Sequence, residues 1–266
     1  MAHRGLARLY HYQGARLDYL RDALVHRRVH FSNPGNFNDP WDCQPYFDRS
    51  IGDPEIRKLW GERLGPIYEG LPVELRAALA ERIEGKWYDH PQLLQQTIEK
   101  LTAWVRHFNI ERWRIYCLTS RPDSVLMWSH YAEQHRGVCL EFDAAQEPIR
   151  RAFEVLYKEV LPALGPDILT DAKAMVDGVL LNKAVAWKYE EEYRILARDG
   201  SIDPAFSVTT DGDFLALTEG TLTGVIAGCN ADIEPIRSLL NEVAPGLQLK
   251  LAIRTQDKYE LEIVTE

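Results

Sequence analysis

Residues 186–197, AWKYEEEYRILA, combine the alternation of a β-strand with three consecutive glutamates and an arginine. Because alternate side chains of a strand point to the same face, we expect Glu190, Glu192 and Arg194 to lie together. Two neighbouring carboxylates repel each other unless a positive group or a proton lies between them. If the three residues line a pocket, Arg194 or a bound polar substrate supplies that charge. In the alternative interpretation, the charges belong to an edge strand and prevent aggregation.

Around this stretch, strand and helix patterns follow one another without a regular βαβ repeat. The pattern predicts an α+β fold with a mixed or antiparallel sheet rather than a doubly wound parallel one. Residues 54–109 have helical periodicity and predict a helical insertion, a lid or partner-docking block, within a single domain of residues 1–266. No GxGxxG or GxxxxGK[ST] loop follows a strand, which argues against Rossmann and P-loop folds. Further strands are predicted at residues 6–14, 29–32, 112–120, 137–143, 152–160, 223–230 and 247–265, and helices at 15–28, 122–135, 167–184 and 233–243.

The composition indicates a soluble, cytoplasmic protein. The chain has 266 residues and a formal net charge of −9, which argues against non-specific coating of nucleic acid. No apolar run approaches the roughly 20 residues that cross a bilayer, so no membrane partner is expected. The four cysteines form no CxxC pair, and we expect buried, inert thiols.

A second polar cluster lies within DSVLMWSHYAEQHRG, residues 123–137. Aromatic rings there offer faces for stacking on a base or a nicotinamide ring, and the histidines and arginine offer donors to ribose or phosphate. The alternative interpretation assigns Met127, Trp128 and Tyr131 to the core. The five-residue step between the histidines does not suit one helix face, so no metal is expected. The candidate binding residues are Trp128, Ser129, His130, His135 and Arg136.

Two further features are candidates for the rim and floor of a pocket. In FSNPGNFNDPWD, residues 31–42, Asn38 and Asp39 precede a stiff Pro-Trp pair that can shield a ligand. In LYHY, residues 9–12, His11 lies within the first predicted strand. A rigid turn and a structural imidazole are the respective alternatives.

In order along the chain, these motifs resemble a large bacterial family of uncharacterised proteins known only as a domain of unknown function. Its pattern is an aromatic first strand, NDPFD, WSHYA with a following H-x-G, and K-x-x-x-W-x-x-E-x-E-x-R. Here NDPWD, WSHYAEQHRG and KAVAWKYEEEYR match that pattern, with Trp41 in place of the usual phenylalanine. The resemblance covers most of the chain outside residues 54–109 and implies no chemistry.

The same segments more distantly resemble the ADP-ribosyltransferases, including the DNA-modifying toxins. That resemblance implies a split β-sheet core and NAD as the substrate. It implies a histidine or arginine on the first strand, a tyrosine or serine on a middle strand or helix, and a glutamate on a later strand. His11 fits the first position, Tyr131 or Ser129 the second, and Glu190 or Glu192 the third.

The resemblance also implies roles. One carboxylate stabilises the charge that develops on the ribose, and the second takes the proton of the attacking nucleophile. His11 holds the adenine-side ribose, and Arg136 neutralises the pyrophosphate. Arg194 is a further candidate for binding the ligand. The acceptor is a nucleic acid or a protein, in a toxin or phage-defence context.

Two other functions are open at this point. In one, the fold is a non-catalytic sensor that binds a nucleotide or peptide between Trp128 and Arg136, with Glu190 and Glu192 only locking Lys183 and Arg194. In the other, it is a metal-dependent phosphoesterase that uses Asp39, Asp42, Glu190 and a histidine. The sequence leaves the oligomeric state undetermined.

Overall fold

The computed structural model describes residues 5–47, 60, 62, 71, 73, 76, 91–106, 110–169, 171–198 and 207–266. Most of the predicted helical block 54–109 lies outside the described residues. Near the C-terminal end of that block, the described residues include a helix over Pro91–Trp104, which agrees with the helical periodicity of the sequence there. The described helices are α1 (Leu17–Val25), α2 (Pro91–Trp104), α3 (Val125–Tyr131), α4 (Ala172–Met175) and α5 (Ile233–Val243). None of the helices among these described residues is both long and apolar enough to span a membrane.

Eight of the described strands form one sheet, in the order β14–β13–β12–β5–β1–β4–β10–β6. Neighbours are antiparallel except for the parallel pair β12–β13. This arrangement confirms the predicted α+β class with a mostly antiparallel sheet. The strands are β1 (Arg8–Gln13), β2 (Arg28–His30), β3 (Tyr46–Phe47), β4 (Trp113–Thr119), β5 (Val138–Asp143), β6 (Phe153–Glu154), β7 (Leu156–Lys158), β8 (Ala163–Leu164), β9 (Asn182–Ala184), β10 (Glu192–Arg198), β11 (Phe214–Ala216), β12 (Leu222–Ala227), β13 (Gln248–Arg254) and β14 (Leu261–Thr265).

The main sheet is narrow at its middle, between β1 and β4. Among the described residues, the register of these two strands contains one pair, Tyr10 opposite Thr119. By contrast, β1 pairs with β5 from Arg8 to Gln13, and β4 pairs with β10 along its whole length. The sheet therefore consists of two well-paired halves that meet at one point, and side chains and a ligand can lie between them.

Both faces of the sheet are covered, which buries the central strands. On one face α1 and α5 pack against a large apolar cluster, with Ile236, Leu239 and Leu240 on the buried side of α5. On the other face α3 covers β1, β5 and β12, and Trp128 is fully buried there. A separate apolar cluster around Trp113 and Leu180 covers β4 and β10. The candidate site lies between these last two covering layers.

The prediction of a continuous strand over residues 186–197 is wrong in its first half. Val185–Glu190 form a 3₁₀-helix, Glu191 has a left-handed backbone with φ of 43°, and the strand begins at Glu192. A seven-residue extended segment spans roughly 23 Å. Because the ammonium of Lys183 contacts the carboxylate of Glu190, the chain must fold back over these seven positions.

Two other predicted elements are interrupted. Residues 152–160 form β6 and β7 rather than one strand. Residues 167–184, predicted as a helix, contain a 3₁₀-turn, α4, a π-helical turn Val176–Leu180 and then β9. The side chain of Asn182 donates to the carbonyl of Asp177, which ends the helical segment and starts β9.

Candidate functional site

A cleft of about 380 Å³ opens where the two halves of the main sheet meet. Its volume is near the lower end of the range for small-molecule sites, about 300–1,000 Å³. Strand β1, helix α3, the loop after β2 and the β9–β10 segment each contribute to its wall. Its polar lining includes His11, Asp42, Tyr131, Lys183, Glu190 and Glu192. All four residues predicted as catalytic, His11, Tyr131, Glu190 and Glu192, thus face one cleft.

Lys183 is the centre of a buried ion cluster at the floor of this cleft. Its Nζ donates to the carboxylate of Glu190 and, at 2.9 Å, to Oε2 of Glu192. The same nitrogen lies 3.6 Å from Oδ2 of Asp42. Because all four side chains are buried, water screens these interactions little.

Arg194 is the second cation of the cluster and lies beneath the floor of the cleft, bonded to Glu192 and Asp42. Its Nε donates to Oε1 of Glu192 at 2.7 Å and its Nη2 to Oδ2 of Asp42 at 2.6 Å. Its Nη1 donates to the carbonyl of Leu180 at 2.7 Å. The side chain is fully buried and is not among the residues that line the cleft, so its contacts orient the acids.

Glu190 is the acid nearest to the aromatic wall. Its Oε1 accepts a 2.6 Å hydrogen bond from the hydroxyl of Tyr131, which α3 brings to the cleft. The hydroxyl of Thr119 on β4 donates to the backbone carbonyl of Glu190 at 2.5 Å and fixes the end of the 3₁₀-helix. The left-handed Glu191 directs its own side chain outwards, to Ser120 and Arg121. Glu190 and Glu192 therefore both point inwards although one residue separates them.

The burial of these acids excludes the edge-strand interpretation. Glu190 is 2% exposed and Glu192 is 3% exposed. Strand β10 is paired on both sides, with β4 and with β6. The charges in EEEYR thus form a site inside the protein, and only Glu191 faces solvent.

The cluster carries more negative than positive charge. Three carboxylates, those of Asp42, Glu190 and Glu192, surround two cations, Lys183 and Arg194. One negative charge is left in excess when all five are ionised. An acidic cavity of this kind attracts a cationic ligand or a developing positive charge.

The two glutamates differ in acidity. Burial raises the pKa of Glu190, and the single neighbouring ammonium of Lys183 offsets this only in part. Burial acts on Glu192 in the same direction, but Arg194 and Lys183 together hold its pKa at about 2. Glu192 is therefore ionised near neutral pH, and of the two glutamates Glu190 takes up a proton more readily.

His11 lies at the junction of the two sheet halves. Its Nδ1 is 2.7 Å from the carbonyl oxygen of Cys117, and its ring stacks on Tyr116 with centroids 4.3 Å apart. Burial lowers its pKa to about 4, so the ring is neutral near pH 7. Because Nδ1–H donates to the carbonyl, Nε2 is an acceptor that a ligand hydroxyl can use.

Of the predicted binding residues, Asn38 and His130 also line the cleft. Nδ2 of Asn38 donates to the Tyr131 hydroxyl at 3.5 Å, and His130 is exposed at the rim. Trp128 does not reach the cleft, because it is fully buried and its Nε1 donates to the carbonyl of Pro122 at 2.8 Å. Ser129 is exposed on α3 and is not among the lining residues.

Three more predicted residues lie elsewhere. Asp39 is buried within its own turn, where Oδ1 accepts the backbone N–H of Trp41 at 2.9 Å. His135 lines a different cleft, together with Arg254. Arg136 is exposed and is not among the residues that line the cleft, so the predicted pyrophosphate contact is not placed beside Glu190.

Three residues of the site have stronger roles than the sequence indicates. The sequence marks Asp42 only as a possible metal ligand and Lys183 only as a partner of the glutamates, yet both line the cleft. No sequence pattern distinguishes Tyr157, whose hydroxyl accepts the backbone N–H of Glu192 at 2.8 Å. The lysine of K-x-x-x-W-x-x-E is a usable signal, because a buried pair of glutamates needs a cation nearby.

The geometry does not favour the metal-dependent phosphoesterase. Asp42 and Glu190 are already bound by Arg194 and Lys183, and Asp39 lies outside the cleft. Within the described ranges, no group of three His, Cys, Asp or Glu side chains is arranged to hold a metal ion.

Residues 127–195 match the model of a family described as a protein of unknown function, DUF2971. This segment is about a quarter of the chain. It runs from α3 into β10 and carries Tyr131, Lys183, Glu190, Glu192 and Arg194, whereas His11 and Asp42 lie before it. No curated protein and no solved structure matches the chain.

The pKa of His11 predicts an acid-sensitive fold. Its folded value of about 4 is below the ordinary 6.5, so the unfolded chain binds a proton that the folded one excludes. This contribution to stability is complete above pH 6.5 and is lost as the pH falls towards 4. Urea unfolding between pH 4 and 7 should show this loss, and His11→Gln should flatten it.

Below pH 4.5 Glu192 adds a second loss, because its pKa of about 2 lies under the ordinary 4.5. A profile for His11→Gln as steep as that of the unmodified protein between pH 4 and 6.5 would contradict the assignment.

Proposed function

We propose that the protein cleaves the nicotinamide–ribose bond of NAD and transfers ADP-ribose, with Glu190 as the catalytic carboxylate. The observation that carries this proposal is the convergence of His11, Tyr131 and Glu190 at one cleft between two halves of a sheet. An ADP-ribosyltransferase-like arrangement requires these residue types on these successive elements. The single pair that joins β1 to β4 supports the split sheet that this likeness implies.

The electrostatics of the cleft suit the reaction. In NAD the pyridinium nitrogen is positive, and bond cleavage moves that charge to the ribose ring. The excess negative charge around Lys183 and Glu190 stabilises both the bound pyridinium and the developing oxocarbenium ion. Tyr131 and His130 at the wall offer flat faces to the nicotinamide ring.

Glu190, Glu192 and His11 have different roles in the proposed reaction. When the C1′–N bond breaks, its electron pair stays on the ring nitrogen and neutral nicotinamide leaves. Glu190, beside the sugar, balances the charge at C1′ and takes the proton from the O–H or N–H of the incoming acceptor. Glu192 stays ionised, is oriented by Arg194, and holds Lys183 beside Glu190. Nε2 of His11 accepts a ribose hydroxyl.

The test is incubation of the purified protein with NAD⁺ and, in parallel, NADH. We expect free nicotinamide from NAD⁺, measured by chromatography, and none from NADH, because its reduced ring is neutral and a poor leaving group. Mass spectrometry of added single-stranded DNA and of the protein itself locates any transferred ADP-ribose.

NAD⁺ recovered intact with every acceptor, together with no heat of binding in calorimetry, would contradict the proposal. Binding of NAD⁺ in the absence of cleavage would instead favour a non-catalytic nucleotide sensor.

A further inference from the structure

The floor of the candidate cleft is negatively charged. Lys183 is the only lysine or arginine among the described residues that line it, and its ammonium is bound to Glu190 and Glu192. With Asp42 and the buried Arg194 included, the ionised cluster keeps one negative charge in excess. A phosphate group in this cleft would therefore lie close to carboxylates that repel it.

Two arginines that could bind a phosphate are placed elsewhere. Arg121 follows the lining residue Thr119 by two positions, but its guanidinium is bound to Asp123 and Glu191. Arg136 is not among the residues that line the cleft. The net charge of −9 on the whole chain adds a long-range repulsion of anions. The charges of the described residues thus disfavour a phosphate inside the cleft.

The remaining polar lining suits a ligand with hydroxyl and amide groups. Ser32, Asn36, Asn38 and His11 all line the cleft. Their side chains offer neutral donors and acceptors, which match the hydroxyls of a ribose and the carboxamide of a nicotinamide. The volume of about 380 Å³ is near the lower end of the range for small-molecule sites, about 300–1,000 Å³, whereas a dinucleotide is a large ligand. The cleft is therefore matched to one nicotinamide and one ribose.

We infer that the cleft binds the nicotinamide–ribose unit without a phosphate, so that nicotinamide riboside is its preferred substrate. The choice of the nicotinamide ring rests on the proposed function. The riboside has one net positive charge, which balances the excess charge of the cluster, whereas nicotinamide mononucleotide and NAD⁺ are net negative near neutral pH. NAD⁺ binds through the same half, with its pyrophosphate and adenylate outside the cleft.

Cleavage of the riboside needs water as the only other reactant. The C1′–N bond breaks and its electron pair stays on the ring nitrogen, so that neutral nicotinamide leaves. The oxygen of a water molecule bonds to C1′, and Glu190 takes the proton that this water loses. The products are nicotinamide and ribose.

Release of nicotinamide from the riboside, the mononucleotide and NAD⁺ tests the inference. Chromatography measures the product, and the Glu190→Gln protein is the blank for spontaneous hydrolysis. We expect the largest kcat/KM for the riboside and a value about 10-fold lower for the mononucleotide, whose phosphate lies nearest to the acids. Added salt screens the charges, so the ratio of these two values should fall as the ionic strength rises.

Two variants test whether the cluster causes this preference. Asp42→Asn removes the excess negative charge and should bring the kcat/KM values of the riboside and the mononucleotide closer together, with circular dichroism to check the fold. Glu191→Gln removes the same charge from a position outside the cleft and should leave their ratio unchanged. The salt dependence of the unmodified protein tests the same preference if Asp42→Asn does not fold.

The outcomes separate this inference from the proposed reaction. A kcat/KM for NAD⁺ or the mononucleotide that equals or exceeds that of the riboside would overturn the inference and leave NAD cleavage standing. Calorimetry that finds the riboside bound more tightly than the mononucleotide, but intact, would contradict the proposed reaction and support the selection by charge. No binding and no cleavage of any of the three ligands would overturn both.

Discussion

Arg194→Met should destabilise the protein by about 3–5 kcal/mol, the usual cost of removing one partner from a buried ion pair. The guanidinium is fully buried and binds both Glu192 and Asp42, so its loss leaves the three carboxylates of the cluster with Lys183 as their one remaining cation. Methionine fills a similar volume, so the loss is mainly electrostatic. Chemical denaturation measures the free energy of unfolding, and the melting temperature should fall by about 10 °C.

Arg198→Met is the matched control on the same strand. Its guanidinium lies over the ring of Trp113 at 5.5 Å, an interaction worth about 0.5–1 kcal/mol. The double variant Arg194→Met with Glu192→Gln should be less destabilised than the sum of the two single variants, because the orphaned charge is removed. An Arg194→Met protein that melts within about 2 °C of the unmodified one would show that the cluster is not what holds β10 to its surroundings.

Much of the fold follows from local sequence patterns. The strands around His11, Cys117 and Cys139 have apolar runs bounded by turn residues, and helix α5 has apolar positions three and four apart. These elements are confirmed because one periodicity dominates each of them. Local patterns fail between residues 152 and 191, where the path of the chain depends also on the buried contact of Lys183 with Glu190, which sequence spacing does not show.

The candidate site can be predicted only in part from the sequence, because contacts between distant segments of the chain position some of its residues. The rule that alternate strand residues share a face placed Glu192 with Arg194 correctly. It placed Glu190 with them for a wrong reason, since a left-handed Glu191 and a 3₁₀-helix bring it there. Trp128 looks like a stacking residue by type, but its burial depends on how α3 sits on the sheet, which sequence spacing does not specify.

Glu190→Gln should reduce NAD cleavage about 10²- to 10³-fold, with a smaller change in the KM for NAD⁺. An amide cannot balance the charge at the ribose or accept a proton from the acceptor. It still accepts the hydrogen bond from Tyr131, so the shape of the cleft is kept. Steady-state release of nicotinamide measures the effect. Glu191→Gln removes the same charge from the adjacent, solvent-facing position and should change the rate less than about two-fold, because that side chain contacts Arg121 outside the cleft.

Stability distinguishes this role from a structural one. Because the folded pKa of Glu190 is raised, its ionised form costs stability above its ordinary pKa of 4.5, so Glu190→Gln should keep or raise the melting temperature. The charge of Glu192 has the opposite effect on stability, because a pKa of about 2 means that the fold stabilises the ionised form. Glu192→Gln should therefore lower the melting temperature at pH 7. A residue whose replacement abolishes turnover while the fold becomes no weaker is one whose charge serves the ligand. If Glu190→Gln instead unfolds the protein as Glu192→Gln does, its carboxylate belongs to the scaffold, and catalysis must be sought at another residue of the cleft.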